Sequence, residues 1–303
     1  MRGLWSGSAD AGPPVRPRDI VMAALVPTLW GLAFVAIKIA LGTFSAIELV
    51  ALRFAIAALP ALMLPRPAIG LAMLCAIGLF LFTGQFIGLF LGISLGMPTG
   101  LASVVAQTQS FFTVLLAAIA LGERPTMRQL LGMGVALAGL VIMALTVGAD
   151  FTLIGFALVL AGAVSWGIGN VLVKRLGRVD MVALMAWASL VPVVIGVAIS
   201  GVVEGFEAFL VRAGETSWAT AAAVLYLGLV ATVFTYVGWA NLLSRYSAAQ
   251  VAPFTLLIPF AGALSSSFAF GERFGPVRLM AMGLVIAGVA IVLVPYRGFA
   301  AKR

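Results

Sequence analysis

The sequence has no histidine, one cysteine and little charge: Asp, Glu, Lys and Arg together make up 9% of its 303 residues. Without histidine the chain lacks the commonest metal ligand and the usual general base. Cys75, alone and within an apolar run, forms no intrachain disulfide. Charge this sparse excludes an ordinary soluble domain, where about a quarter of the residues are charged. It excludes intrinsic disorder too, because disorder needs low hydrophobicity. What is present is apolar: 63% of residues are hydrophobic and the mean hydropathy is +1.19. At ~20 residues per span, that material supplies about ten transmembrane helices. The net charge of +8 then reads as loop cations facing the cytoplasm, and no nucleic-acid partner is expected.

Ten apolar runs are visible, at 20–41, 45–64, 70–95, 99–121, 127–147, 153–175, 180–203, 218–243, 248–270 and 276–295. Backbone groups in hydrocarbon must pair within their own segment, so these runs are predicted to be helices. The connection at 204–217 is the only one with room for a surface element. Residues 1–19 lack the apolar core of a signal peptide and read as a cytoplasmic tail, as do 296–303. With the N-terminus inside, thirteen lysines and arginines fall on inner segments and three on outer loops. That bias predicts both termini in the cytoplasm.

The chain resembles itself. Gly122-Glu123-Arg124 closes the fourth run, and Gly271-Glu272-Arg273 closes the ninth, 149 residues later. At the same offset Leu130, Met133, Gly134, Ala138, Gly139 and Ile142 meet Leu279, Met282, Gly283, Ala287, Gly288 and Ile291. The first and sixth runs also correspond: Trp30-Gly31 meets Trp166-Gly167, and Lys38 meets Lys174. Two five-helix repeats are predicted, at 20–147 and 153–295. An odd number of spans per repeat turns the second upside down relative to the first, which is the architecture of alternating-access carriers.

Two tandem five-helix halves, Trp-Gly-x6-Lys in the first helix of each and Gly-Glu-Arg after each fourth helix resemble the EamA group of the drug/metabolite transporter superfamily. The resemblance covers nearly the whole chain, and within the group the sequence is most similar to the YddG-type bacterial amino-acid exporters. It implies an all-α protein of the bacterial cytoplasmic (inner) membrane, with a central cavity between helices 1–4 and 6–9 and helices 5 and 10 as outer supports. One departure stands out. The fourth run carries Gln107-Thr108-Gln109-Ser110 and the ninth Leu257-Ile258-Pro259, whereas the family often has proline in both.

Polar groups inside spans are costly and therefore candidates for function. Trp30, Phe34 and Lys38 lie on one face of the first run, and Trp166, Asn170 and Lys174 repeat that spacing in the sixth. The mid-span tryptophans are predicted to line a cavity. The lysines, nearer the span ends, either snorkel to the interface or meet a charged group, Lys38 being the candidate for a substrate carboxylate. Gly84, Gly88, Gly92 and Gly96 form a small-residue stripe, read as a tight seam or, at Gly88 and Gly92, as a gating surface. Gln85 lies beside it. Gln107 and Gln109 need partners, from neighbouring helices or from a polar ligand. Tyr236 and Trp239 in the eighth run suit either core packing or a ligand with one apolar and one polar end. Pro259 is expected to kink the ninth run, with Gly262 beside it as a second hinge candidate.

Three charged positions read as structural. Arg53 is deep in the second run, with Glu48 or a glutamine as its expected partner. Glu123 and Glu272 precede Pro125 and Pro276, where a negative charge suits the positive end of the following helix.

The reading of function is a carrier that exports amino acids with aromatic or other apolar side chains. Of the carboxylates only Glu48 falls within a span, near its end, so uniport is expected and ion coupling is not. No cofactor or metal is called for, and a monomer is compatible with the sequence, the oligomeric state being left open. The alternatives are a broad drug/metabolite exporter, a channel-like membrane subunit, and a membrane enzyme, the last disfavoured by the missing histidine and deep carboxylates.

Overall fold

A computed structural model describes residues 16–122, 125–146, 151–177, 179–246 and 251–293. Both tails, Glu123 and Arg178 lie outside the described residues. The described chain is helical. The helices are α1 (Pro17–Ala40), α2 (Ala46–Ala58), α3 (Leu71–Ser94), α4 (Thr99–Leu121), α5 (Met127–Ala144), α6 (Leu153–Lys174), α7 (Met181–Val203), α8 (Phe206–Gly214), α9 (Trp218–Leu242), α10 (Phe254–Phe270) and α11 (Pro276–Val292). Seven of them, α1, α3–α7 and α9, are long and apolar enough to cross a membrane, and α10 and α11 are shorter apolar helices.

Each of the ten predicted runs contains a helix, and the expected surface element appears as α8. The second run is the most broken. After Ala58 it tightens into a 3-10 turn, Leu59–Leu62, because Pro60 offers no N–H to continue an α-helix.

Helix packing in lipid has no hydrophobic drive, so close backbone approach has to supply the contact energy. The glycine stripe of α3 does this against α6. A Cβ at Gly88 would sit 2.7 Å from the Leu158 carbonyl, and one at Gly92 would sit 2.7 Å from that of Gly155. Helices α5 and α11 make the same kind of seam. Gly139 abuts Ala281 and Val285, whereas Gly132 abuts Gly288 and Val292, so the two helices run antiparallel. The contact of Gly139 with Ala281 recurs, with the two segments exchanged, as that of Gly288 with Gly132.

A side chain at Gly288 would collide with the Gly132 carbonyl, 2.5 Å from a Cβ there. Gly288→Val is expected to destabilise the protein by about 1–3 kcal/mol, the usual range for overpacking. A lowered thermal midpoint in detergent reads this out. Gly134→Ala, which meets nothing within 4 Å, is the neutral control.

Two helices widen to π geometry at matching places. Gly78–Gly84 in α3 and Tyr226–Phe234 in α9 are π-helical. In each, a threonine hydroxyl donates to the carbonyl five residues back, Thr83 to Gly78 at 3.0 Å and Thr232 to Leu227 at 2.8 Å. Thr83 and Thr232 stand at the same offset as the two Gly-Glu-Arg motifs.

Candidate functional site

Helices α1–α4, α6, α7, α9 and α10 enclose a cavity of about 830 Å³. Of the ten residues predicted to line a cavity, nine reach it: Trp30, Phe34, Gln85, Gln107, Gln109, Trp166, Asn170, Tyr236 and Trp239. The aromatic side is knit together. The Trp30 ring lies 5.5 Å from that of Trp239 and 6.0 Å, edge-on, from that of Tyr236. Its indole N–H donates to the Ala231 carbonyl at 3.2 Å, within the π segment of α9.

Lys38 is the residue that stays outside. It lies two turns beyond Trp30 on the same face of α1, which there has passed the end of α10. Its ammonium pairs with Glu272 at 3.2 Å and sits over the Phe270 ring.

Glu272 has a different role from the predicted one. It caps the start of α4, not that of α11: the carboxylate accepts from the Thr99 N–H at 3.0 Å, the Thr99 hydroxyl at 2.8 Å and the Gly100 N–H at 2.9 Å. Gly271, at φ 65°, turns the chain back over α4. Pro276, which opens α11, has no N–H to be capped. Burial presses the Glu272 carboxyl upward, but the hydrogen bonds from Gly100, Thr99 and Lys38 outweigh it and hold it below its ordinary value.

Arg53 does not meet Glu48. Glu48 is drawn to Arg212 of α8, at 2.6 and 3.0 Å, and closes a capping box with Ser45 at the start of α2. Those side-chain hydrogen bonds raise the Arg212 pKa from its ordinary value. Arg212 also reaches Glu204 at 2.6 Å. The Arg53 guanidinium turns into the cavity wall, donating to the Thr232 hydroxyl at 2.9 Å and the Ala231 carbonyl at 3.3 Å, with its carbon 4.2 Å from the centre of the Phe86 ring. The sequence alone suggests a structural role for it, yet a cation deep in an apolar run is itself a signal of function. The contribution of α7, through Met181, Met185 and Ser189, went unread because no polar stripe marks it.

The amides divide by role. Asn170 donates to the Thr113 hydroxyl at 3.0 Å and so bridges α6 to α4. The Gln85 carbonyl oxygen is buried without a hydrogen-bond partner among the described residues. Gly88 and Gly92 lie in the α3–α6 seam, and a Cβ on Gly262 would fall 2.5 Å from Ser103 of α4. Pro259 sits in the first turn of Leu257–Phe270, where a missing N–H costs little, and the change of geometry falls just before it, in the 3-10 turn Ala252–Leu256. Among the described residues no three side chains converge that would hold a metal.

The cavity is one-sided. It extends to Pro60, Val179 and Met181 at one end and stops at Ile37 and Leu89 toward the other. Beyond that limit lie the Glu272 cluster, the Glu48–Arg212–Glu204 group and a hydroxyl contact of 3.1 Å between Thr43 and Thr220.

The sequence matches the EamA-like transporter family twice, over residues 18–145 and 153–294. The chain belongs to this family. It is accordingly a multi-pass membrane transporter for small molecules. It is 35% identical to a probable amino-acid metabolite efflux pump of Escherichia coli, over 90% of this chain and 94% of that one. The corresponding pump of Salmonella typhimurium is 36% identical over 92% and 96%. A probable terminal-alkyne amino-acid exporter of Streptantibioticus cattleyicolor is 30% identical over 63% of each chain. One crystal structure shares the fold, with a TM-score of 0.60 at 21% identity, covering 91% of this chain and 98% of its own.

Proposed function

We propose that this transporter exports amino acids with aromatic or other large apolar side chains, by alternating access and without ion coupling. The observation that carries the reading is the composition of the cavity. Six aromatic rings, from Trp30, Phe34, Phe86, Trp166, Tyr236 and Trp239, share its wall with one buried cation and several amides. Such a wall suits a ligand with one apolar and one zwitterionic end, and 830 Å³ is within the range of small-molecule sites. The relatives named as amino-acid pumps and exporters support the same substrate class.

In this reading ten spans form two inverted halves, 20–147 and 153–295. The antiparallel α5–α11 seam and the paired π segments support it. The open end of the cavity carries Arg66, Lys174, Arg175 and Arg245. By the positive-inside bias it faces the cytoplasm, with both termini on that side of the bacterial inner membrane. The residues offered for substrate contact are the nine lining residues named above, with the seams at Gly88, Gly92 and Gly262 and the turn at Pro259 as moving parts.

Counterflow in proteoliposomes tests this. Labelled phenylalanine is expected to accumulate faster when unlabelled phenylalanine, tryptophan or leucine is loaded on the opposite side, with no dependence on a proton or sodium gradient. Absence of exchange with every amino acid overturns the proposal. Trp166→Ala removes a cavity ring, and at matched protein levels it is expected to lower exchange at least tenfold, about 1.4 kcal/mol.

A further inference from the structure

Resting on that reading, we infer that Arg53 and Gln85 recognise the two charged ends of the substrate, so that the site selects α-amino monocarboxylates over amines, amides and dicarboxylates. Arg53 is 3% exposed, and its hydrogen-bond partners are two neutral oxygens. Among the described residues no carboxylate lies within ion-pair reach of it, since Glu48 is held by Arg212. A buried guanidinium without a counter-ion is costly, and a ligand carboxylate that supplies one is bound through charge-assisted hydrogen bonds. The two protein bonds use the Nε–H and one Nη2–H, leaving three of the five donors of the fork available.

Gln85 stands one residue before Phe86, the ring on which Arg53 stacks. It is 7% exposed and lines the cavity, and its buried carbonyl oxygen has no hydrogen-bond partner among the described residues. An acceptor left unsatisfied in a buried site is matched by a donor brought in by the ligand, here the ammonium. The side chain is then directed to the Trp30–Tyr236–Trp239 cluster. That cluster is joined to Arg53 because Trp30 and Arg53 donate to the same Ala231 carbonyl. A second carboxylate on the ligand finds no second cation in the wall, because Arg53 is the one cation among the described residues that line the cavity and Lys38 is committed to Glu272 outside it.

The experiment is competition against exchange of labelled L-phenylalanine in proteoliposomes. The competitors are unlabelled phenylalanine, phenylalaninamide (no carboxylate), 3-phenylpropionate (no ammonium) and glutamate. With the unaltered protein, each single-charge analogue is expected to compete about 10- to 100-fold more weakly than phenylalanine, the equivalent of one charged hydrogen-bond pair. Arg53→Gln is expected to weaken phenylalanine to the level of phenylalaninamide and to leave the amide unchanged. Gln85→Leu is expected to do the same with respect to 3-phenylpropionate. If phenylalaninamide or 3-phenylpropionate competes as well as phenylalanine in the unaltered protein, the inference is overturned without reliance on any variant folding. Should no amino acid exchange, the functional reading is overturned, and with it this inference. Exchange without discrimination overturns the inference alone.

Discussion

Glu272→Ala is expected to open the closed end of the cavity. The carboxylate joins three helices there. It takes the N–H groups of Thr99 and Gly100 and the Thr99 hydroxyl at the start of α4, it follows α10, and it pairs with Lys38 of α1. Loss of a helix cap costs about 1–2 kcal/mol, and charged hydrogen bonds add to this. The Lys38 pair adds little, because its side chain is 41% exposed. A net loss of roughly 2–3 kcal/mol shifts a two-state equilibrium about 30- to 150-fold toward the form open at this end. Ile37 is the last α1 residue to line the cavity. Ile37→Cys in a Cys75→Ser background provides a single thiol there. Its labelling by a membrane-impermeant reagent added from the closed side is expected to rise more than tenfold when Glu272→Ala is added. An unchanged rate means that the cluster does not hold this end shut.

The same carboxylate sets a pH dependence. Its hydrogen-bonded state keeps it ionised below the ordinary carboxylate range, so its contribution is complete above that range and is lost only as pH falls through the depressed value. The labelling rate of Ile37→Cys, corrected at each pH for the thiolate fraction, is therefore expected to be flat from neutral pH down to the ordinary carboxylate range and to rise only under stronger acid. In Glu272→Gln this acid step is absent.

Arg212→Ala is the second large effect. Glu48 has a side chain only 1% exposed, and Arg212 is its ion-pair partner. Removing the arginine leaves a buried carboxylate with its Ser45 cap but no cation, a situation that costs about 3–5 kcal/mol. The thermal midpoint is expected to fall accordingly. Adding Glu48→Gln removes the unpaired charge and keeps an acceptor for the Ser45 N–H, so the double variant is expected to recover most of the loss. A double variant no more stable than Arg212→Ala alone means that α8 contributes by packing, not by charge.

Hydropathy made the helices legible because lipid forces every backbone group to pair locally, so each run declares itself without reference to its neighbours. The cavity was partly legible for a related reason. Trp30 and Trp166 recur at one spacing in two places, and a duplicated site leaves such a mark. Partners across the structure were not legible. Glu48 and Arg53 are close in sequence, yet five helical positions turn them to different sides. Glu272 finds Thr99 across 173 residues, and no local pattern encodes that meeting. The π segments were missed because hydropathy is blind to a slipped hydrogen bond, although Thr83 and Thr232 already stood at the repeat offset.

Those two segments carry a consequence for how sequence length maps onto the transport path. A π turn holds one residue more than the α turn it replaces, and one residue is about 100° of rotation. Deleting a single residue within 78–84 or 226–234 would leave a continuous apolar helix of nearly the same length. It would also twist everything on one side of the deletion by a quarter turn or more. Gln85 and Phe86 in α3, or Tyr236 and Trp239 in α9, would then face lipid or a neighbouring helix. Relatives that lack the extra residue would display a different set of side chains to their cargo from an otherwise alignable sequence. A gap at these two places therefore amounts to a change of specificity.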